Sequence, residues 1–244
     1  MYKLISSFEL PNENDLVEKN DQTTENHVLS LVFPVPDRNE SMLFYQNKQY
    51  HQPNQTLTTL QKYAKQNNFL DYSSLTHSLK RFNRFSKRNS PIASLSAVLF
   101  PLGHPQHSPW INPAEIYELK ESGVFTMIHL LNGLTIQTTL TVRTIRNRSE
   151  EALSILSMLK RDYLQSGFTC STAPLTLLQL PDTPFLRSIS KRAMLQDFPL
   201  PIYALKEAYE QDHALQTFLR LGRSIDPAEW NYETFSDLLT KLIN

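Results

Sequence analysis

The residues best suited to bind a charged ligand lie in one short stretch, 80–88. It holds five cationic side chains within nine positions: Lys80, Arg81, Arg84, Lys87 and Arg88. Lysine and arginine neutralise phosphates and release counterions, which gives an affinity for nucleic acid that falls as salt rises. Arginine also enters the narrow minor groove of A-tracts, where the negative potential is enhanced. A run of charge is also typical of a solvated surface, so both interpretations stay open at this point.

A second basic group lies about sixty residues further on, at Arg143, Arg146 and Arg148. These side chains are candidates for phosphate contacts, or for ordinary surface charge at the start of a helix. The whole chain carries 24 basic and 24 acidic residues, so its net charge is zero. The first 45 residues hold eight acidic and three basic side chains, whereas residues 61–92 hold seven basic and one acidic. Any affinity for a polyanion must therefore come from local clustering.

The residue types that enzymes use form no recognisable motif. His104 and His107 stand three apart in a proline-rich loop, with His129 in a predicted strand. A zinc site needs further ligands, and the sole cysteine, Cys170, is distant in sequence and has no local signature of a nucleophile. No P-loop, dinucleotide-binding glycine pattern, nucleophile elbow or zinc-protease helix is present. We therefore expect no enzyme activity, no metal and no cofactor.

The elements that must position the basic residues follow from hydrophobic periodicity. Apolar residues at steps of three and four predict a helix through Leu75, Leu79, Phe82 and Phe85, with a strand as the alternative for part of this stretch. We expect Ser73 or Ser74 to cap its start. On that helix, the side opposite the apolar face would hold the basic side chains of Lys80, Arg84, Lys87 and Arg88.

Residues 91–142 are typical of β structure. The dipeptide Asn132-Gly133 predicts a tight type I′ turn, so we expect a β-hairpin over residues 124–142. The second strand of the hairpin, Leu134 to Val142, alternates apolar and polar residues. Earlier strands are predicted at residues 27–33 and 41–45, and Phe100 and Trp110 are predicted to lie in the core because they bound apolar strands.

Helices are predicted to dominate the rest of the chain. Asn147 is predicted to cap a helix that runs to about Gln165 and stops before Gly167. Five prolines then divide residues 168–201 into short pieces, and Asp226-Pro227 has the form of a helix start.

The predicted fold class is α+β, with a small antiparallel sheet, the hairpin at 124–142 and several helices. We divide the chain into a domain of residues 1–167 and a helical extension of residues 168–244. The apolar stretches are far shorter than the ~20 residues that span a bilayer, and a lone cysteine fits a reducing compartment. We therefore expect a cytoplasmic protein without a membrane partner.

An ordered series of features from Asp71 to Arg161 resembles the ComK family of competence transcription factors. The basic stretch leads into Pro91-Ile92, an apolar strand ends in Phe100-Pro101, and a loop closes on Trp110-Ile111. The Asn132-Gly133 hairpin and the helix Ser149 to Arg161 complete the series. About ninety residues are covered, and residues 168–244 are not.

The resemblance implies an activator of DNA-uptake genes that binds A/T-rich promoter boxes in double-stranded DNA as a homo-oligomer. It also implies delivery to a Clp-type protease by an adaptor protein. The basic residues of stretch 80–88 would then contact DNA, and Arg143, Arg146 and Arg148 would form a second group of contacts. The alternative is a degenerate ComK-like protein that binds protein partners and not DNA, which the zero net charge favours.

Overall fold

The computed structural model describes residues 2–5, 28–45, 48–164 and 173–224. For residues 221–224 it describes the backbone alone. Within these ranges the fold is α+β, as predicted. The strands are β1 Tyr2–Ile5, β2 Leu29–Pro34, β3 Ser41–Tyr45, β4 Gln49–Gln52, β5 Ile92–Ala93, β6 Val98–Pro101, β7 Trp110–Ile111, β8 Ile116–Ser122, β9 Phe125–Leu130 and β10 Thr135–Thr138. The helices are α1 Thr56–Gln66, α2 Tyr72–Arg81, α3 Val142–Leu164, α4 Pro184–Ile189, α5 Ala193–Gln196 and α6 Ala204–Ser224.

Six strands form an antiparallel sheet in the order β4-β3-β2-β7-β6-β5, and both of its faces are buried. Because successive side chains of a strand point to opposite faces, Leu31 enters the larger core and Val32 enters a smaller core beneath α1. Phe100 and Trp110 are also divided between the two cores, and both are almost completely buried. The prediction that these two aromatic residues belong to the core is confirmed.

The other sheet has four antiparallel strands in the order β1-β10-β9-β8 and contains the predicted hairpin. The predicted type I′ turn is wrong, because such a turn needs a positive φ at both Asn132 and Gly133, and of these two residues only Gly133 has one (84°). A three-residue loop joins β9 to β10 instead, closed by a bond from the Leu130 amide to the Leu134 carbonyl. The Asn132 side chain explains the difference, since it accepts from the Leu134 amide and donates to the Tyr45 carbonyl.

The long helix α3 begins earlier than predicted. The strand that we expected to reach Val142 ends at Thr138, and the helix starts at Val142 rather than after Asn147. Thr141 accounts for the early start, because its hydroxyl accepts from the Thr144 amide (3.2 Å) in the manner of a cap. The helix buries Ala152, Leu153 and other apolar residues and packs against strands β5, β6 and β8. It therefore forms the centre of the larger core.

Helix α2 is capped by Asp71, and the prediction of a serine cap is wrong. An Asp71 carboxylate oxygen accepts from the Ser74 amide (2.8 Å) and from the Ser74 hydroxyl (2.7 Å), so the serine serves as the donor. The helix ends at Arg81, whereas the apolar spacing predicts that it continues to Phe85. Phe85 is nevertheless buried, because the chain after the helix folds back onto the core.

The helices of residues 173–224 share the larger core with the strands. Phe185, Ile189, Leu195 and Leu205 all belong to it. The predicted boundary at 167/168, Cys170 and the helix start at Asp226 lie outside the described residues, so the division into two domains stays a prediction. No helix in the described part of the chain is both long and apolar enough to cross a bilayer.

Two features fix the last long helix. The buried pair Arg161 and Asp162 lies at 2.7 Å (Nε to Oδ1), and the Arg161 guanidinium donates to the carbonyls of Leu200 and Pro201 just before α6. Farther along, α6 packs on α2 through polar contacts, which include Ser78 to Asp212 (2.9 Å) and Arg220 to Asp71 (3.1 Å).

Candidate nucleic-acid interface

The five predicted cations lie where α2 ends and an irregular segment begins. Lys80 and Arg81 occupy the last turn of α2, and Arg84, Lys87 and Arg88 lie in the following segment, residues 82–91, which we call the basic loop. All five side chains are exposed. The structure therefore brings the whole predicted cluster to the surface within one short length of chain.

Pairs of exposed residues alternate with pairs of inward-facing residues along the basic loop. Asn83 and Arg84 are exposed, Phe85 and Ser86 turn inward, Lys87 and Arg88 are exposed, and Asn89 and Ser90 turn inward again. Phe85 packs in the larger core, and its ring meets that of Phe82 edge to face, with centroids 6.5 Å apart.

Two residues, Ser86 and Asn89, join the basic loop to the rest of the fold through three hydrogen bonds. The Ser86 amide donates to a Glu151 carboxylate oxygen of α3 at 2.7 Å. The Asn89 amide group, oriented to suit its neighbours, donates to the Gly103 carbonyl (2.8 Å) and accepts from the Arg148 guanidinium (2.9 Å). The inward side of the loop is therefore bound on both sides of the Lys87-Arg88 pair.

Four of the five cations have no carboxylate partner among the described residues: Lys80, Arg84, Lys87 and Arg88. Arg81 differs, because it donates to Gln211 (3.2 Å) and lies 3.8 Å from a carboxylate oxygen of Asp212 on α6. In the acidic N-terminal region, Glu40 pairs with Arg38 and His51. The four other cations therefore form no ion pair with a described carboxylate.

The second predicted group is divided by the structure. Arg143 is exposed, and Arg146 is partly buried. Arg148 donates to the Pro101 carbonyl at 2.8 Å as well as to Asn89, and burial lowers the pKa of its guanidinium. Arg148 therefore links the basic loop to strand β6. This geometry does not support the predicted contact of Arg148 with DNA.

The carboxyl group of Glu151 contacts the backbone of the basic loop directly. Burial raises the pKa of its carboxyl to about 7, although the Ser86 amide and Arg148 favour the charged form; the neighbouring Glu150 acts in the same direction as burial. The side chain is therefore a partly buried acid that titrates near neutral pH. Its contact with the loop could not be predicted from the sequence, because Ser86 and Glu151 are 65 positions apart and no local pattern connects them.

This pKa leads to a prediction about stability. The folded state holds the Glu151 proton more tightly than the unfolded state, so the free energy of unfolding should fall as pH rises from about 4.5 to about 7. Glu151→Gln keeps an oxygen that can accept from Ser86 and cannot ionise. Urea unfolding should give nearly equal stabilities at about pH 4.5 and a variant more stable by about 2–3 kcal/mol at pH 8.

Glu121→Gln provides the control for this prediction, since Glu121 is exposed on β8. Its stability should follow that of the wild type at both pH values. A Glu151→Gln difference that is the same at both pH values would contradict titration of Glu151 as the cause.

The three histidines that were candidates for metal ligands lie in two different parts of the fold. The rings of His104 and His107 stack with centroids 5.7 Å apart in the loop before β7. His129 lies on β9, where its Nδ1 is 2.9 Å from the Thr135 hydroxyl oxygen. Among the described residues, no three histidine, cysteine, aspartate or glutamate side chains are grouped closely enough to hold a metal ion.

Comparison with known proteins gives no match for this chain among protein-family models, curated proteins or solved structures. The resemblance to the ComK family therefore depends on the ordered sequence features alone.

Proposed function

We propose that this protein is a DNA-binding transcriptional regulator whose basic loop contacts the phosphate backbone. The observation that carries the proposal is the group of four exposed cations at Lys80, Arg84, Lys87 and Arg88, which have no described carboxylate partner. Phosphate contacts supply most of the affinity of such proteins and position them on the duplex. The exposed Arg143 and the partly exposed Arg146 are candidates for further contacts.

The resemblance to the ComK family supplies the more specific part of the proposal. It favours an activator of competence and DNA-uptake genes that acts in the cytoplasm on A/T-rich promoter boxes. Arginines suit such boxes because a narrow minor groove concentrates negative potential. Since the net charge is zero, one subunit should bind weakly, and a homo-oligomer on repeated boxes should bind more tightly.

The test is a binding titration with an A/T-rich duplex at several salt concentrations. Four phosphate contacts should give a slope of log affinity against log salt of about −3.6. Alanine at positions 80, 84, 87 and 88 together should remove most of this slope and weaken binding about a hundredfold at low salt. Arg81 is kept in this variant because it also binds α6.

A matched variant separates a local effect from a change in total charge. It replaces four other exposed lysines, namely Lys48, Lys62, Lys65 and Lys191, with alanine. Both variants lose the same charge, so near-normal binding by this control alongside loss of binding by the first variant supports the assignment. Equal binding by the wild type and by the variant with alanine at positions 80, 84, 87 and 88 would reject it.

A second candidate function is interaction with protein partners, including a Clp-protease adaptor, without DNA binding. Leu215 and Leu219 favour it, because they lie one turn apart on α6 and are 53% and 43% exposed. A protein of this kind would show no salt-dependent binding to DNA at moderate salt, so the same titration distinguishes the two candidates.

A further inference from the structure

The basic loop obtains its shape from side-chain contacts, since it contains neither helix nor strand. Phe82 packs against the larger core, Phe85, Ser90 and Pro91 are buried, Ser86 binds Glu151, and Asn89 bridges Gly103 and Arg148. The exposed pairs lie between these positions. The contacts on the inward side therefore determine how the cations on the outward side are spaced.

The contact with Glu151 differs from the others because it holds a backbone amide in the middle of the cationic segment. Ser86 lies between Arg84 and Lys87, so the bond from its amide to Glu151 fixes the backbone at the middle of the cationic segment. Phe85 is held by packing alone, which does not fix the direction of the following amide. Glu151 itself is held on the long helix α3, one turn from Arg148.

We propose that Glu151 is a positioning residue for DNA binding, which holds the Ser86 amide so that Arg84, Lys87 and Arg88 are presented together to the phosphates. This inference rests on the proposed function. A loop already held in its bound shape loses less conformational freedom on binding, and so binds more tightly than a loose loop with the same charges. Glu151 acts through Ser86 and need not touch DNA.

The experiment compares Glu151→Ala, Glu151→Met and Glu151→Gln in the full chain. Glu151→Met keeps an apolar stem in the partly buried position and removes the acceptor, so it serves if the alanine variant folds poorly. Glu151→Gln keeps an acceptor oxygen and should restore the contact. Glu121→Ala is the control, as an exposed glutamate away from the loop.

Two quantities are measured: hydrogen exchange of the amides of residues 86–88 in the free protein, and the dissociation constant for an A/T-rich duplex at fixed salt. Loss of the hydrogen bond from the Ser86 amide to the Glu151 carboxyl should speed exchange of this amide about tenfold in the Ala and Met variants. Their DNA affinity should fall about five- to tenfold, with the salt slope unchanged because the cations remain. Glu151→Gln should resemble the wild type in both measurements.

The outcomes separate the two claims. Unchanged exchange in the Ala and Met variants would overturn the positioning role. Faster exchange with unchanged DNA affinity would overturn it as well. In both cases the proposed function would still stand, provided that the wild-type protein binds the duplex. Failure of Glu151→Gln to restore affinity also counts against the role of the acceptor. A wild-type protein that binds no duplex overturns the proposed function and the positioning role together.

Discussion

Asp162→Ala should lower the free energy of unfolding by about 3–5 kcal/mol, because it leaves a buried guanidinium without its counter-charge. The Asp162 side chain is fully buried, and that of Arg161 is 6% exposed. Arg161 also lies 4.2 Å from the centre of the Phe198 ring and donates to two carbonyls before α6. The loss should appear in urea unfolding, and α6 should lose its packing on the core.

The chain contains a matched surface pair for comparison. Arg187 and Asp182 also form an arginine–aspartate pair (3.1 Å), but their side chains are 64% and 77% exposed. Solvent screens this pair, so Asp182→Ala should cost at most about 1 kcal/mol. Equal losses from the two variants would contradict the view that burial makes the Arg161–Asp162 pair important.

Trp110→Ala should cost about 3–5 kcal/mol by leaving a cavity in the smaller core. The indole is fully buried, with its ring centre 5.7 Å from that of Tyr72, and its Nε1 donates to the Pro105 carbonyl (2.8 Å). The alanine variant loses the packing and also leaves the Pro105 carbonyl without this donor. Thermal unfolding should show a drop in Tm of roughly 10 °C for a chain of this size.

Two further substitutions test whether the loss of stability in Trp110→Ala comes from the buried ring and its hydrogen bond. Trp110→Phe keeps an aromatic ring but not the donor, so its loss should lie between those of wild type and alanine. Val124 is 80% exposed at the β8–β9 turn, and Val124→Ala should change stability by less than about 0.5 kcal/mol. A Trp110→Ala variant as stable as Val124→Ala would show that the smaller core contributes little.

Local sequence patterns predicted the elements whose structure depends on near neighbours. A short apolar run predicted the strand Ser41–Tyr45, the Asn132-Gly133 dipeptide predicted the hairpin, and helical spacing predicted the apolar face of α2 at Leu75 and Leu79. The start of α3 was not. Residues 139–142 continue the alternation of β10, and burial of the long helix in the core overrides that local preference.

The candidate site shows the same limit. The cations of stretch 80–88 are visible in the sequence because charge is a property of single residues. Their anchors are not, since Glu151 and Arg148 reach the basic loop only through the tertiary packing of α3. The acidic partner of Arg81 is even more distant in sequence, at Asp212 on α6.

The shared core has a consequence for dissecting the protein by truncation. A fragment that ended near residue 167 would lose Phe185, Ile189, Leu195 and Leu205, which pack with α3 and the strands. The apolar side of α3 would then meet water, and α2 would lose the helix that lies against it. Excising the helical segment would thus disturb the platform beneath the basic loop, so point substitutions are the sounder way to assign roles to either half.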